Sequence, residues 1–317
     1  MTQPTDAALF DEIAAKRFVS AQDVLEMRRA VYPDGGVCQG EIERLFALAA
    51  KVEAGDPAWK SFFDEACADR FLNEEQPRGH VTDAEYEVLK GLVERSGGPS
   101  RFEIEAFVTL VTKAKTTPPE MTAWLGEQLV SLVAKKPTPQ VSAEDAALFK
   151  RFVYGLGSAG NVAVTRSEAE FLLSVEAVAR DGANAPEWGA LYAKALSAHL
   201  MQHVDAVMNT RAEDIRQHEF VEDAAANPVG FMNRMLQGGL SGFRGGQSEA
   251  DAVEERDAAR AEAAAAAEVV TEDEGDWLAA RLGADGRLSI SEMALMQRLK
   301  DLGAPLPEPL KAFAQAS

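Results

Sequence analysis

A frame of fixed length recurs along this chain: a Val-Ser or Val-Thr pair opens it, and a Glu twenty-two residues after the Val closes it. It appears at Val19-Ser20 with Glu41, Val81-Thr82 with Glu103 and Val270-Thr271 with Glu292, and in stretched form at Val141-Ser142 with Glu168. Self-similarity on this scale marks repeated supersecondary units, none of which can bury its apolar face alone, so that neighbours must stack. In every copy the opening hydroxyl residue is followed three positions later by an acid: Ser20 with Asp23, Thr82 with Glu85, Ser142 with Asp145, Thr271 with Glu274. In a capping box of this spacing the hydroxyl accepts from a free backbone N–H and the acid reaches back to the cap. Each copy is therefore predicted to begin with a helix.

That first helix stops at glycine-bearing segments: Pro33-Asp34-Gly35-Gly36, Ser96-Gly97-Gly98-Pro99, the longer Gly155 to Asn161, and Gly283-Ala284-Asp285-Gly286. Glycine accepts the positive φ that ends a helix, so these are tight reversals. A second helix follows. Ile42, Leu45, Phe46 and Ala49 match Ile104, Phe107, Val108 and Val111 at the i, i+3, i+4, i+7 positions of one buried face. A third is announced by Pro57, Pro119, Pro186 and Pro307, because proline in a first turn loses no hydrogen bond. Two residues on, Trp59, Met121 and Trp188 are expected to anchor the base of that helix in the core.

The expected fold class is all-α: four tandem helical repeats, each a capped helix, a Gly turn, a helix and a Pro-started helix, with an insert before the last. Residues 1–18 form an N-terminal helix, 19–140 repeats one and two, 141–203 repeat three, 204–269 the insert and 270–317 repeat four. The repeats are expected to pack as pairs, one with two and three with four.

An apolar content of 46% is enough to bury real cores. Acids outnumber bases 51 to 32, and a net charge of −19 repels phosphate backbones and anionic lipid surfaces. Nucleic acid is excluded as an expected partner. The start, MTQPTDAALFDEIAAKRF, lacks the basic segment and apolar run of a secretory signal, and no stretch reaches the roughly 18 apolar residues of a spanning helix. A cytoplasmic protein without a membrane span is expected. Cys38 and Cys67 are too few for a disulfide framework and read as a loop thiol and a core thiol.

Two places have metal-ligand spacing. Set against a twelve-residue calcium loop, Asp34, Gly35, Val37 and Glu41 fall at positions 5, 6, 8 and 12, as do Asp285, Gly286, Leu288 and Glu292. Positions 1 and 3 hold Ala30 and Tyr32 in one copy and Arg281 and Gly283 in the other, none offering the side-chain carboxylate or amide oxygen that a calcium loop uses there. Two readings follow: an Asp-Gly turn with a first-turn carboxylate favoured by the helix dipole, or a weak, hydrated divalent-metal site. His199 and His203, four apart, would share a helix face at zinc-ligand spacing, but Leu-Met-Gln stands between them without the Glu of a zinc-protease motif. They read either as a packed or solvated pair or as ligands.

The insert is unlike the rest. Phe231, Met232, Met235, Leu236, Leu240 and Phe243 lie among glycines in an adaptable stretch that either docks a protein partner or folds back on the repeats. An Ala/Glu-rich segment, Ser248 to Val269, is expected to be a solvated helix or helical linker.

The pattern Asp-Gly-x-Val/Leu-x-x-x-Glu-x-x-x-Leu/Met, at Asp34 to Leu45 and Asp285 to Met296, resembles the TerB-like helical domains of tellurite-resistance proteins, also found in DjlA-type co-chaperones, and looks like a degenerate EF-hand. The TerB-like resemblance implies an all-helical fold, metal association through Asp34, Glu41, Asp285 and Glu292, and a role in stress response or complex assembly. The expected function is a non-catalytic interaction or metal-responsive module with protein partners. The alternatives are a metal-dependent hydrolase using His199 and His203, and a weak calcium sensor. No Ser-His-Asp order, Cys-His dyad or nucleotide fingerprint stands out.

Overall fold

The computed structural model describes residues 4–33, 35–74, 76–95, 97–155, 164–201, 272–282, 287–303 and 306–316. They form α-helices almost throughout: α1 (Pro4–Lys16), α2 (Ala21–Val31), α3 (Gln39–Ala49), α4 (Pro57–Ala68), α5 (Asp83–Arg95), α6 (Arg101–Lys113), α7 (Pro119–Ala134), α8 (Ala143–Gly155), α9 (Arg166–Ala179), α10 (Pro186–Leu200), α11 (Glu272–Ala279), α12 (Ile290–Asp301) and α13 (Glu308–Ala316). A π-helical turn, Asp69–Asn73, extends α4. The fold is all-α. No helix among the described residues is long and apolar enough to cross a membrane.

Three of the four opening caps form as the spacing predicts; Thr271, which opens the fourth, lies outside the described residues. Ser20 N–H donates to the Asp23 carboxylate at 2.9 Å and the Asp23 N–H returns to Ser20 Oγ at 3.2 Å. Thr82 and Glu85 repeat the pair at 2.8 and 3.3 Å, Ser142 and Asp145 at 3.0 and 3.1 Å. Pro57, Pro119 and Pro186 each stand at the first helical position, and Trp59, Met121 and Trp188 are buried one turn in.

Two strands too short to read from sequence tie helix starts together. Phe18–Val19 (β1) pairs in parallel with Ala54–Gly55 (β2), and the Val19 carbonyl accepts the Asp56 N–H at 2.8 Å. The Val141 carbonyl accepts the Ala185 N–H in the same way at 2.8 Å. In the second copy the corresponding residue is Pro118, which has no N–H to give. There the Val81 N–H donates to the Thr116 carbonyl instead, at 3.0 Å.

The chain divides into two compact units, Met1–Gly160 with Phe171–Trp188, and Asn161–Glu170 with Gly189–Ser317, so the boundary falls within α9 and α10. In the first unit α1 packs on α2 and α3, α2 on α4, α3 on α4 and α5, and α6 on α4, α7 and α8. Its core is aromatic: Trp59 stacks on Phe102 at 5.6 Å, Phe63 meets Phe46 and Phe102 at 5.0 Å each, and Phe149 and Phe152 meet Phe171 edge-on at 5.4 and 5.0 Å. Such rings bury large apolar area and add about 1 kcal/mol per pair. In the second unit α13 packs on α11 and α12. Gly275 permits this, because a Cβ there would overlap Pro307 at the foot of α13.

A helix of eleven to sixteen residues is marginal alone in water, so its caps and its buried face must act together. Glu103 is 1% exposed and accepts the Ser100 N–H at 2.8 Å. Glu103→Ala is expected to cost about 1–3 kcal/mol in urea unfolding, with Glu103→Gln recovering most of the loss, since an amide oxygen still accepts. Equal losses for the two variants would contradict the cap.

Candidate functional site

Eight acids are buried among the described residues: Asp23, Glu41, Glu85, Glu103, Asp145, Glu168, Glu176 and Glu292. Seven are the third residue of a helix and accept the N–H of the residue that caps it. In α3, α6, α9 and α12 the donors are Cys38 (2.7 Å), Ser100 (2.8 Å), Thr165 (2.7 Å) and Ser289 (2.7 Å). The eighth, Glu176, accepts the Trp188 indole N–H at 2.6 Å. The second helix of each copy thus has its own capping acid. The sequence signal for this is a hydroxyl three residues before Glu103, Glu168 and Glu292, which sharpens the first-turn carboxylate reading into a capping box.

This bears on the calcium-loop residues. The closing Glu of such a loop gives both oxygens to the ion. In Glu41 and Glu292 one oxygen already receives a helix-start N–H. Asp34 and Asp285 lie outside the described residues. Around the first loop Gly35 takes φ +93°, and Gly36 sits so close to the Glu74 carboxylate that a Cβ would overlap it. Beside them Tyr32 Oη donates to Asp69 at 2.7 Å, and Asn73 donates to the other Asp69 oxygen at 2.8 Å. No group of three or more His, Cys, Asp and Glu among the described residues could hold a metal ion.

His199 is buried in the second unit. Its Nδ1 donates to the Val164 carbonyl at 2.8 Å, since a carbonyl can only accept, and its ring meets Trp277 edge-on at 5.7 Å. The Arg166 guanidinium lies 3.7 Å over the same indole. Within the described residues His199 therefore positions the start of α9. His203 and the stretch containing Phe231, Met232, Met235, Leu236, Leu240 and Phe243 lie outside them. Cys38 is exposed and Cys67 buried, where desolvation pushes the thiol far above its ordinary value.

One peptide group is held at both poles. The Val164–Thr165 unit receives His199 at its carbonyl and gives its N–H to Glu168, a chain in which each bond polarises the next. The capping acids differ in charge environment. Burial drives the Asp145 carboxyl up, but Lys136, Arg101 (2.6 Å) and Ser142 outweigh it and hold the group at about 2. Its stabilising effect is complete above its unfolded value and is lost as pH falls through about 2. For Glu168 burial dominates the hydrogen bonds from Thr165 and raises the group to about 7.

No protein-family model matches the chain, and no curated protein or solved structure is significantly similar to it. The class defined by the fold and these residues is an all-α protein in which seven of the eight buried acids among the described residues are committed to helix starts.

The Glu168 geometry fixes the sign of a pH effect. With a folded value of about 7 against an ordinary 4.5, the folded state keeps its proton longer, and stability falls as pH rises through that window. Glu168→Gln is expected to gain on the parent by up to about 3 kcal/mol between pH 4.5 and pH 7, followed by urea unfolding. A difference that does not vary with pH would contradict this.

Proposed function

We propose that this protein is a non-catalytic interaction module, an array of four related three-helix repeats serving complex assembly or a metal-responsive process. The supporting observation is the fate of the buried carboxylates among the described residues, seven of which cap helices while the eighth holds an indole. General acid–base or metal chemistry needs such groups aimed into a cleft and matched in pKa to their task. Here seven face backbone N–H groups and one an indole N–H. The helix boundaries follow the sequence frame, three helices to each copy, which favours the repeat reading. The loop motif at Asp34 to Leu45 and Asp285 to Met296 supports a kinship of type with TerB-like domains, and with it a stress-related or assembly role.

In this reading protein partners dock on the apolar glycine and methionine stretch or in a groove between repeats. The hydrolase alternative needs His199 and His203 as ligands, and with Nδ1 of His199 donating to a backbone carbonyl the ligand nitrogen in that reading is Nε2. Deleting residues 228–247 is expected to abolish capture of the partner while the melting temperature moves by no more than about 2 °C. Retained capture, or a collapse in melting, would contradict the docking role. Stoichiometric zinc in the purified protein, lost on His203→Ala, would favour the hydrolase reading in its place.

A further inference from the structure

The second helix of the last copy differs from its counterparts on one face. At helical positions one and five the first three copies carry hydrogen-bonded polar pairs: Gln39 with Glu43 at 3.0 Å, Arg101 with Glu105 at 2.9 Å, Arg166 with Glu170 at 3.3 Å. In α12 these positions are Ile290 and Ala294. At position four Ile42, Ile104 and Ala169 are buried, whereas Met293 is 40% exposed. At position eight Phe46, Val108 and Leu173 are buried and Gln297 is exposed. Ile290 is 79% exposed. Sequence and exposure have changed together, and an apolar strip has replaced a polar one where the surface is open.

The inner copies indicate what such a face receives. The next copy's first helix packs there: α5 lies on α3, and α8 on α6, with Arg101 reaching Asp145 at 2.6 Å and Arg151 donating to Thr109 Oγ1 at 2.7 Å. In the second unit Arg166, at position one of α9, covers Trp277 of α11. Among the described residues no helix occupies this place on α12. The first helix of the first copy, α2, is already covered by α1. Lys16 of α1 pairs with Asp23 at 2.7 Å, as Arg101 and Lys136 pair with Asp145, so a second copy has no vacant first helix to offer.

We propose that the first two turns of α12 bind an amphipathic helix of a partner protein, in the manner in which α6 holds α8. Its apolar residues, spaced i, i+3, i+4, would cover Ile290, Met293 and Ala294, and polar residues would meet Gln297, Lys300 and Asp301 beyond them. This rests on the four-repeat reading above and deepens it by naming the surface and the kind of partner.

The test uses the full chain and a fluorescein-labelled, stapled amphipathic peptide with leucine at i, i+3, i+4 and i+7 and glutamate elsewhere. Saturable binding by anisotropy is expected, weakened about tenfold or more by Ile290→Asp or Met293→Asp. Leu25→Asp, at an exposed apolar position on α2, should leave binding unchanged. All three positions are exposed, so melting curves should match the parent. Absent binding, or equal loss in the Leu25 variant, overturns the proposal. So does a parent dimer, seen in sedimentation, that Met293→Asp dissociates, since the occupant is then a second copy. Binding that appears only after residues 228–247 are deleted overturns it as well, because the chain's own segment then fills the face. Partner capture through 228–247 is scored separately, so either idea can fail alone.

Discussion

A helix that begins inside a protein exposes backbone N–H groups with no water to receive them, and this chain answers with a carboxylate three residues along. The reach of an Asp or Glu side chain from the third helical position back to the cap fixes the first turn and the direction from which the chain enters. Asp23, Glu41, Glu85, Glu103, Asp145, Glu168 and Glu292 all act in this way. The arrangement carries a cost, because a carboxylate taken out of water is unfavourable unless something offsets the desolvation. Asp145, fully buried, is offset by two cations, whereas Glu168 relies on Thr165 and keeps its proton to near neutrality.

These anchored starts position everything else. Val19, Val81 and Val141, each just before a cap, are buried, and through their backbones they join the first helix of a copy to the segment that begins the third. With entry angles fixed, α4, α6 and α8 can stack in sequence, and Trp59, Phe63 and Phe102 fill the space between α4 and α6. The start of α9 is held from further along the chain, by His199 and by Trp277 under Arg166. Titratable residues that resemble functional groups in the sequence are thus part of the framework.

Much of the fold was legible because its signals are local. Ser20-x-x-Asp23 and its counterparts, the prolines at the third helices and the i, i+3, i+4 apolar positions of α3 and α6 each specify a helix from a few neighbouring residues. The candidate site was less legible, because its meaning depends on burial and on which atom faces which. The spacing Asp-Gly to Glu suits a calcium loop and a capped helix alike, and only coordinates show that an oxygen of Glu41 is taken by Cys38. His199 has zinc-ligand spacing to His203, yet its bond to Val164 joins residues 35 apart, which no periodicity reveals. The two-residue strands carry too few residues to leave a pattern. The exposure of Ile290 and Met293 on α12 becomes visible only in the folded chain.

The central claim is that buried third-position carboxylates hold the cap amides of the second helices. Native-state hydrogen exchange at the amides of Cys38, Ser100, Thr165 and Ser289 tests it most directly. The account predicts protection close to that of interior helical amides such as Leu45 and Phe107, although each cap precedes its helix. Exchange at the rate of an unprotected loop would contradict it.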